Sequence, residues 1–269
     1  MSSSERTELR DFCPTVYGPV RSRRHGLSLG INLGDAEKKA CTWSCVYCQC
    51  GFGHRVGEIS GLRIPARHEV LKGVREALKA HPDLDSVTMA GNTEPTSHPE
   101  FAEIVQDVLD LRRQTAGKWT FNVLSNGSEL DPGNTALIAA CDSLDEVWIK
   151  LDCAEEDLFR RLNRPIARIG GIHQHLVRIR LLQAPRIQTL LWGAEERPNL
   201  ASWTEGNRKA LLAAYKQVAP VQIFITTIQR EPAMSGLLPV PATELEEFGE
   251  QVRAAGFNVK IFADDTRHF

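Results

Sequence analysis

Four of the chain's seven cysteines fall within ten residues, Cys41-Thr-Trp-Ser-Cys45-Val-Tyr-Cys48-Gln-Cys50. Cys13, Cys141 and Cys153 stand apart from them. The count is odd, and the polar N-terminus MSSSERTELRDF has no apolar signal region, so a disulfide framework is not expected. The clustered thiols read instead as metal ligands. The first three are spaced C-x3-C-x2-C. A structural zinc site draws on two separated pairs, and no second C-x2-C pair exists. Three thiolates on a short loop suit a [4Fe–4S] cube, three of whose irons they hold while the fourth takes a non-protein ligand. Cys50 is cramped as a fourth ligand at i+2. The spacing alone leaves zinc and iron–sulfur both open. Cys13, Cys141 and Cys153 read as small buried hydrophobes.

The elements that must carry this loop follow from periodicity. Ser28–Leu33, Ser86–Ala90, Trp119–Leu124, Val147–Leu151, Ile187–Trp192, Val221–Thr227 and Phe257–Phe262 are short segments rich in β-branched or aromatic residues, as buried strands are. Amphipathic stripes lie between them: Val70, Leu71, Val74 and Leu78; Phe101, Ile104, Val105, Val108 and Leu109; Leu211, Leu212, Tyr215 and Val218; Leu245, Phe248 and Val252. Ser97-His-Pro-Glu100 and Thr243-x-x-Glu246 read as capping boxes. Strand–helix alternation predicts an α/β fold with a mostly parallel sheet and right-handed crossovers. A barrel or large part of one fits, and a doubly wound sheet would want the G-x-G-x-x-G fingerprint that is missing after the first strand.

In a parallel barrel the functional groups sit beyond the C-terminal strand ends. The cysteine loop follows the first strand there, Gly91-Asn-Thr-Glu94-Pro-Thr96 the second and Ser125-Asn126-Gly127 the third, and Lys150 and Asp152 close the fourth. Each segment alone is a plausible turn. Their joint placement on one face points to a site.

Cys41-x3-Cys45-x2-Cys48, with Tyr47 before the last cysteine, resembles the cluster loop of the radical S-adenosylmethionine superfamily. Asn92-Thr-Glu94-Pro95 is similar to its Gly-Gly-Glu-Pro segment. Tyr17-Gly-Pro-Val-Arg-Ser-Arg-Arg24, Phe159-Arg-Arg-Leu-Asn-Arg-Pro165 and Val221-Gln-Ile-Phe-Ile-Thr-Thr-Ile-Gln-Arg230 resemble its wyosine-synthetase-like Fe–S oxidoreductase branch. The resemblance implies a partial (β/α)6 barrel, a [4Fe–4S] cluster on Cys41, Cys45 and Cys48, and S-adenosylmethionine, cleaved reductively to a 5′-deoxyadenosyl radical that abstracts hydrogen from a substrate. It implies Asn92, Thr93, Glu94, Ser125, Asn126 and Asp152 as acceptors and donors for the cofactor, and Tyr47 against its adenine. A one-electron donor such as flavodoxin or ferredoxin is implied as partner. Two departures stand out: Thr93 occupies the place of a glycine, and the fifth strand lacks the branch's glycine-bearing adenine motif.

Arg21, Arg23 and Arg24, with Lys150, Arg164 and Arg230, are the cations expected to meet a small-molecule or nucleoside-type substrate. His54, His98, His173 and His175 read as loop or helix-surface residues. The net charge of −2 gives no footprint for nucleic acid, which argues against the branch's tRNA-modifying reading. A glycyl-radical activase, or a non-enzymatic zinc or iron–sulfur module, would also accommodate these residues. No run of about 18 apolar residues exists to cross a membrane. A cytoplasmic, single-domain protein is expected over 1–269, with an arm at 1–27, the barrel core at 28–230 and a closing helix and strand at 231–269.

Overall fold

Parallel strands covered on both faces must be apolar or small along their whole length, and this shapes the centre of the sheet. In the computed structural model residues 13–55 and 60–263 are described. The polar stretch 1–12 lies outside them. Contacts divide the described chain into two compact units, one of residues 13–42, 53–55 and 60–148, the other of 43–52 and 149–263.

The first unit holds β1 (Val16–Ser22), β2 (Gly26–Ile31), β3 (Ser86–Met89), β4 (Thr120–Ser125) and the start of β5 (Glu146–Lys150), neighbours in that order. β1 runs antiparallel to β2, pairing Val16 with Ile31 and Ser22 with Gly26. β2, β3 and β4 are mutually parallel, with Ser28 opposite Ser86 and Ser86 opposite Thr120. β2 from Ser28 onward and all of β3 are buried. Gly30 is required by close approach: a Cβ there would lie 2.1 Å from the Tyr17 ring, which crosses the strand and donates its hydroxyl to the Ala90 carbonyl at 3.1 Å. Helices α1 (Arg67–Ala80), α2 (Phe101–Gln114) and α3 (Thr135–Asp142) lie in this unit, α2 burying Phe101, Ile104, Val105, Val108 and Leu111.

The second unit holds the end of β5, then β6 (Arg186–Gly193), β7 (Gln222–Thr227) and β8 (Val259–Phe262) in that order. β6 and β7 are parallel, as are β7 and β8. Helices α4 (Ile172–Ile179), α5 (Glu205–Val218) and α6 (Ala242–Ala254) accompany them. The two-residue strand Leu238–Pro239 adds an antiparallel pair to β6.

All seven expected strands are present, displaced by two residues at most. The expected arm at 1–27 contains a strand: β1 is half exposed and carries Gly18 and Pro19, the composition of an edge strand, which hides it from a search for apolar runs. The expected capping boxes are replaced. Ser97 turns its hydroxyl to the Glu94 carbonyl, and the His98 ring accepts from the Glu100 amide at the start of α2. Pro241 precedes α6 with no side-chain cap.

Candidate active site

The loops after β3 and β4 meet on a single carboxylate. Glu94 is 2% exposed. Its Oε1 accepts from the Ser125 hydroxyl at 2.6 Å and from the Thr96 amide and hydroxyl at 3.1 and 2.6 Å. Its Oε2 accepts from the Asn126 amide at 2.7 Å. Burial pushes the Glu94 carboxyl above its usual range, against the pull of those donors. Gly91 lets the Asn32 side chain pass, since a Cβ there would sit 2.2 Å from its Oδ1. Asn92 Nδ2 donates to the Asp35 carbonyl at 2.8 Å, and the Thr93 hydroxyl donates to the Ala40 carbonyl at 2.5 Å. Thr93 is not among the residues with positive φ, so its substitution for glycine adds a hydroxyl anchor without backbone strain. Both bonds fix the stretch that leads to Cys41. Asn126 completes it, donating Nδ2 to the Thr42 hydroxyl at 2.9 Å and to Cys41 Sγ at 3.7 Å.

The rest of the cysteine loop belongs to the second unit, where Asp152 plays the corresponding part. This carboxylate is 1% exposed. Oδ1 takes the Lys150 ammonium and the Leu190 amide, both at 2.8 Å. Oδ2 takes the Tyr47 hydroxyl at 2.5 Å and Asn163 Nδ2 at 3.1 Å. Four donors fill the two oxygens, so Asp152 acts as a strut of the loop rather than an open acceptor. Burial and the neighbouring Asp152 charge hold the Tyr47 phenol far above its ordinary pKa, which keeps it a donor. Its ring lies 4.9 Å from that of Trp192 and 5.1 Å from the Lys150 ammonium. Cys45 is buried, Cys48 and Cys50 are half-buried, and all seven cysteines are in the thiol form. Burial raises the thiols of Cys13 to about 11 and Cys141 to about 12, and Cys153 well above its ordinary value.

The expected substrate cations have different surroundings within their own units. Lys150 is committed to Asp152. Arg164 lies over the Phe52 ring at 5.3 Å, and Arg230 donates to Gln49 Oε1 at 2.7 Å, so both stand beside the end of the cysteine loop. Arg21 is exposed on β1, and Arg23 and Arg24 lie in the β1–β2 turn. That turn is at the N-terminal end of β2, whereas the cysteine loop leaves from its C-terminal end. Closeness in sequence misled here: six extended residues at about 3.3 Å each separate the two ends.

His175 differs from its expected place. It is fully buried on the inner side of α4, stacked on Phe159 and edge-on to Trp43. Its Nε2 lies 2.7 Å from the Lys150 carbonyl, which makes Nε2 the protonated nitrogen. Burial lowers its pKa from 6.5 to about 4. The unfolded chain therefore binds a proton across that window that the folded chain does not. The stability this supplies is complete above pH about 6.5 and is lost as pH falls toward 4, on the order of 3 kcal/mol. Denaturant unfolding at stepped pH should show this slope in the wild type and lose it in His175→Phe. Equal slopes in the two proteins would refute the assignment. His98 is also buried, its ring 2.9 Å from the Pro65 carbonyl, and the His54 side chain lies outside what is described.

A family model described as the Radical SAM superfamily matches residues 39–184, more than half of the chain. The chain belongs to that superfamily. It is 33% identical over 220 residues to the UPF0026 protein slr1464 of Synechocystis, covering 78% of this chain and 74% of the relative. Among solved structures it is similar to a radical SAM methyltransferase from Sphaerobacter thermophilus, at TM-score 0.63 and 14% identity, over 89% of this chain and 67% of that one. TYW1 with a lysine-pyruvate adduct aligns at TM-score 0.60 and 15% identity, over 84% and 73%. These likenesses show the fold, the partial (β/α)6 barrel that the resemblance implied. This radical SAM chain is an enzyme of a superfamily that works with a [4Fe–4S] cluster and S-adenosylmethionine.

The residues present fit that cluster. Its donors would be three thiols of one loop, and two of them, Cys41 and Cys45, are met by side-chain amides, from Asn126 at 3.7 Å and Asn163 at 3.8 Å. Such N–H donors suit sulfurs that carry negative charge. Among the described residues no three His, Cys, Asp or Glu side chains gather as they would around a single ion. A cube bound at three corners spreads its ligand sulfurs further apart than one ion does. The spacing motif exposed the thiols, but Thr42, Trp43 and the facing position of Asn163 had no signal in the sequence. Among the described residues no helix is long and apolar enough to cross a membrane.

Proposed function

We propose that Cys41, Cys45 and Cys48 hold a [4Fe–4S] cluster and that S-adenosylmethionine binds beside it between the loops after β3 and β4. Held there, the cluster would supply the electron for reductive cleavage of S-adenosylmethionine, the chemistry by which hydrogen would be taken from a small-molecule or nucleoside-type substrate. The observation that carries this reading is the C-x3-C-x2-C loop with amide donors on two of its sulfurs, in a chain of this superfamily.

The chain's own groups divide the work. Oε2 of Glu94 has one donor and so keeps an acceptor position for the cofactor's ammonium, which would hold the carboxyl ionised against its raised pKa. The carbonyls of Asn92 and Thr93 are further acceptors. Ser125 and Asn126, which both donate to Glu94, would bind the cofactor's carboxylate or ribose. Tyr47, pinned by Asp152, offers its ring to the adenine, with Trp192 behind it. Arg164 and Arg230, beside the loop's end, are the cations placed to meet an acidic one-electron donor or an anionic substrate.

Anaerobic reconstitution with iron and sulfide should give a brown protein that, with a reductant, converts S-adenosylmethionine into methionine and 5′-deoxyadenosine. A brown protein that leaves S-adenosylmethionine intact would sink the radical reading. A colourless protein holding stoichiometric zinc would sink the iron assignment as well.

A further inference from the structure

Residues 43–46 and 162–165 form a short antiparallel ladder in one register. Ser44 N donates to the Arg164 carbonyl at 3.2 Å and Val46 N to the Leu162 carbonyl at 3.0 Å, and Trp43 bridges Pro165. Cys45 and Asn163 are therefore opposite one another at the position between two hydrogen-bonded pairs. There the side chains of an antiparallel ladder approach most closely. A π-turn over Phe159–Asn163, ending at Arg164 with φ 52°, delivers Asn163 to this position.

The Asn163 amide is fully buried and its two hydrogens have two acceptors. One is Asp152 Oδ2 at 3.1 Å, the other Cys45 Sγ at 3.8 Å. The carboxylate settles which end of the amide faces it, since only the nitrogen can donate. The Oδ1 atom is buried without a partner. A buried amide oxygen left without a donor is a cost that a leucine of similar size would avoid. What asparagine supplies in exchange is a pair of N–H groups aimed at a carboxylate and a sulfur.

We propose that Asn163 is a positioning residue that hydrogen-bonds the Cys45 thiolate and raises the reduction potential of the cluster bound there. The inference rests on the cluster assignment above. An added electron increases the negative charge on the cluster and its thiolates, so a donor fixed on Cys45 favours the reduced form. Hydrogen bonds to sulfur are among the levers that set the potentials of such clusters. Asp152 keeps the donor aimed by holding the other hydrogen of the same amide.

Two measurements test this on the reconstituted full-length enzyme. In a redox titration followed by electron paramagnetic resonance, Asn163→Leu should retain its iron and become at least tenfold harder to reduce, a downward shift of about 59 mV for a one-electron couple. In the wild type grown with 15N-asparagine, pulsed resonance on the reduced cluster should detect two side-chain amide couplings, of which Asn126→Ser removes the one on Cys41 and leaves the one from Asn163. The second measurement decides the matter if the variant fails to keep its cluster. A cluster-bearing Asn163→Leu protein at the wild-type potential, or an Asn126→Ser protein with no remaining coupling, overturns this inference and leaves the cluster assignment standing. A wild type that binds no iron overturns the assignment itself, and this inference with it.

Discussion

Alanine at Cys45 is expected to abolish cluster retention, while alanine at Cys141 leaves it intact. Both residues are buried thiols, so burial does not separate them. Their surroundings do. Cys45 lies opposite Asn163, its thiol donating to that residue's carbonyl at 3.5 Å and its sulfur accepting from the Asn163 amide at 3.8 Å, the donor that would stabilise a thiolate. Cys141 lies on α3, where burial and the nearby charges of Glu94 and Asp142 push its thiol up to about 12 and keep it protonated. A protonated thiol is not a metal ligand. Removing its sulfur should cost about 1 kcal/mol for one lost buried heavy atom and no iron. Iron and sulfide analysis with visible absorption after reconstitution reads both variants. Equal loss of cluster in Cys45→Ala and Cys141→Ala would falsify the ligand assignment.

The contrast between these cysteines was half legible in the sequence. Ligands carried on one loop are a local property, and the spacing from Cys41 to Cys48 displays them. The parallel strands were legible for the same reason, because burial on both faces forces a run of apolar or small residues such as Ser86–Met89. Non-local consequences were not legible. Asn163 faces Cys45 only because a π-turn and a ladder register align two segments separated by 118 positions. Arg21, Arg23 and Arg24 sit a short way before the cysteine loop in sequence, yet β2 carries the chain along its full length between them. The expected cap at Ser97 failed through competition: the Glu94 carbonyl takes that hydroxyl, and α2 starts at Glu100 without a side-chain cap, the His98 ring accepting only the Glu100 amide. Asp152 looks like an open acceptor in a sequence, which shows a carboxylate but not the four donors that fill it.

Asp152 consequently carries the largest expected effect on stability. Its replacement by alanine leaves the Lys150 ammonium, the Tyr47 hydroxyl, the Asn163 amide and the Leu190 N–H without their acceptor in a buried site. Breaking a buried pair from one side costs about 3–5 kcal/mol, chiefly because the surviving charge is stranded. In a protein of this size that corresponds to a fall of about 10 °C in melting temperature. The double variant Asp152→Ala with Lys150→Met should recover part of the loss, since the stranded ammonium is removed with its partner. Tyr47→Phe should cost less, because Asp152 keeps three of its donors and only one phenol oxygen is gone. Thermal unfolding of the three variants, each without added metal, separates the contributions. A single Asp152→Ala variant within about 1 kcal/mol of the wild type, or a double variant no more stable than the single, would show that Asp152 is not the strut that anchors the cysteine loop.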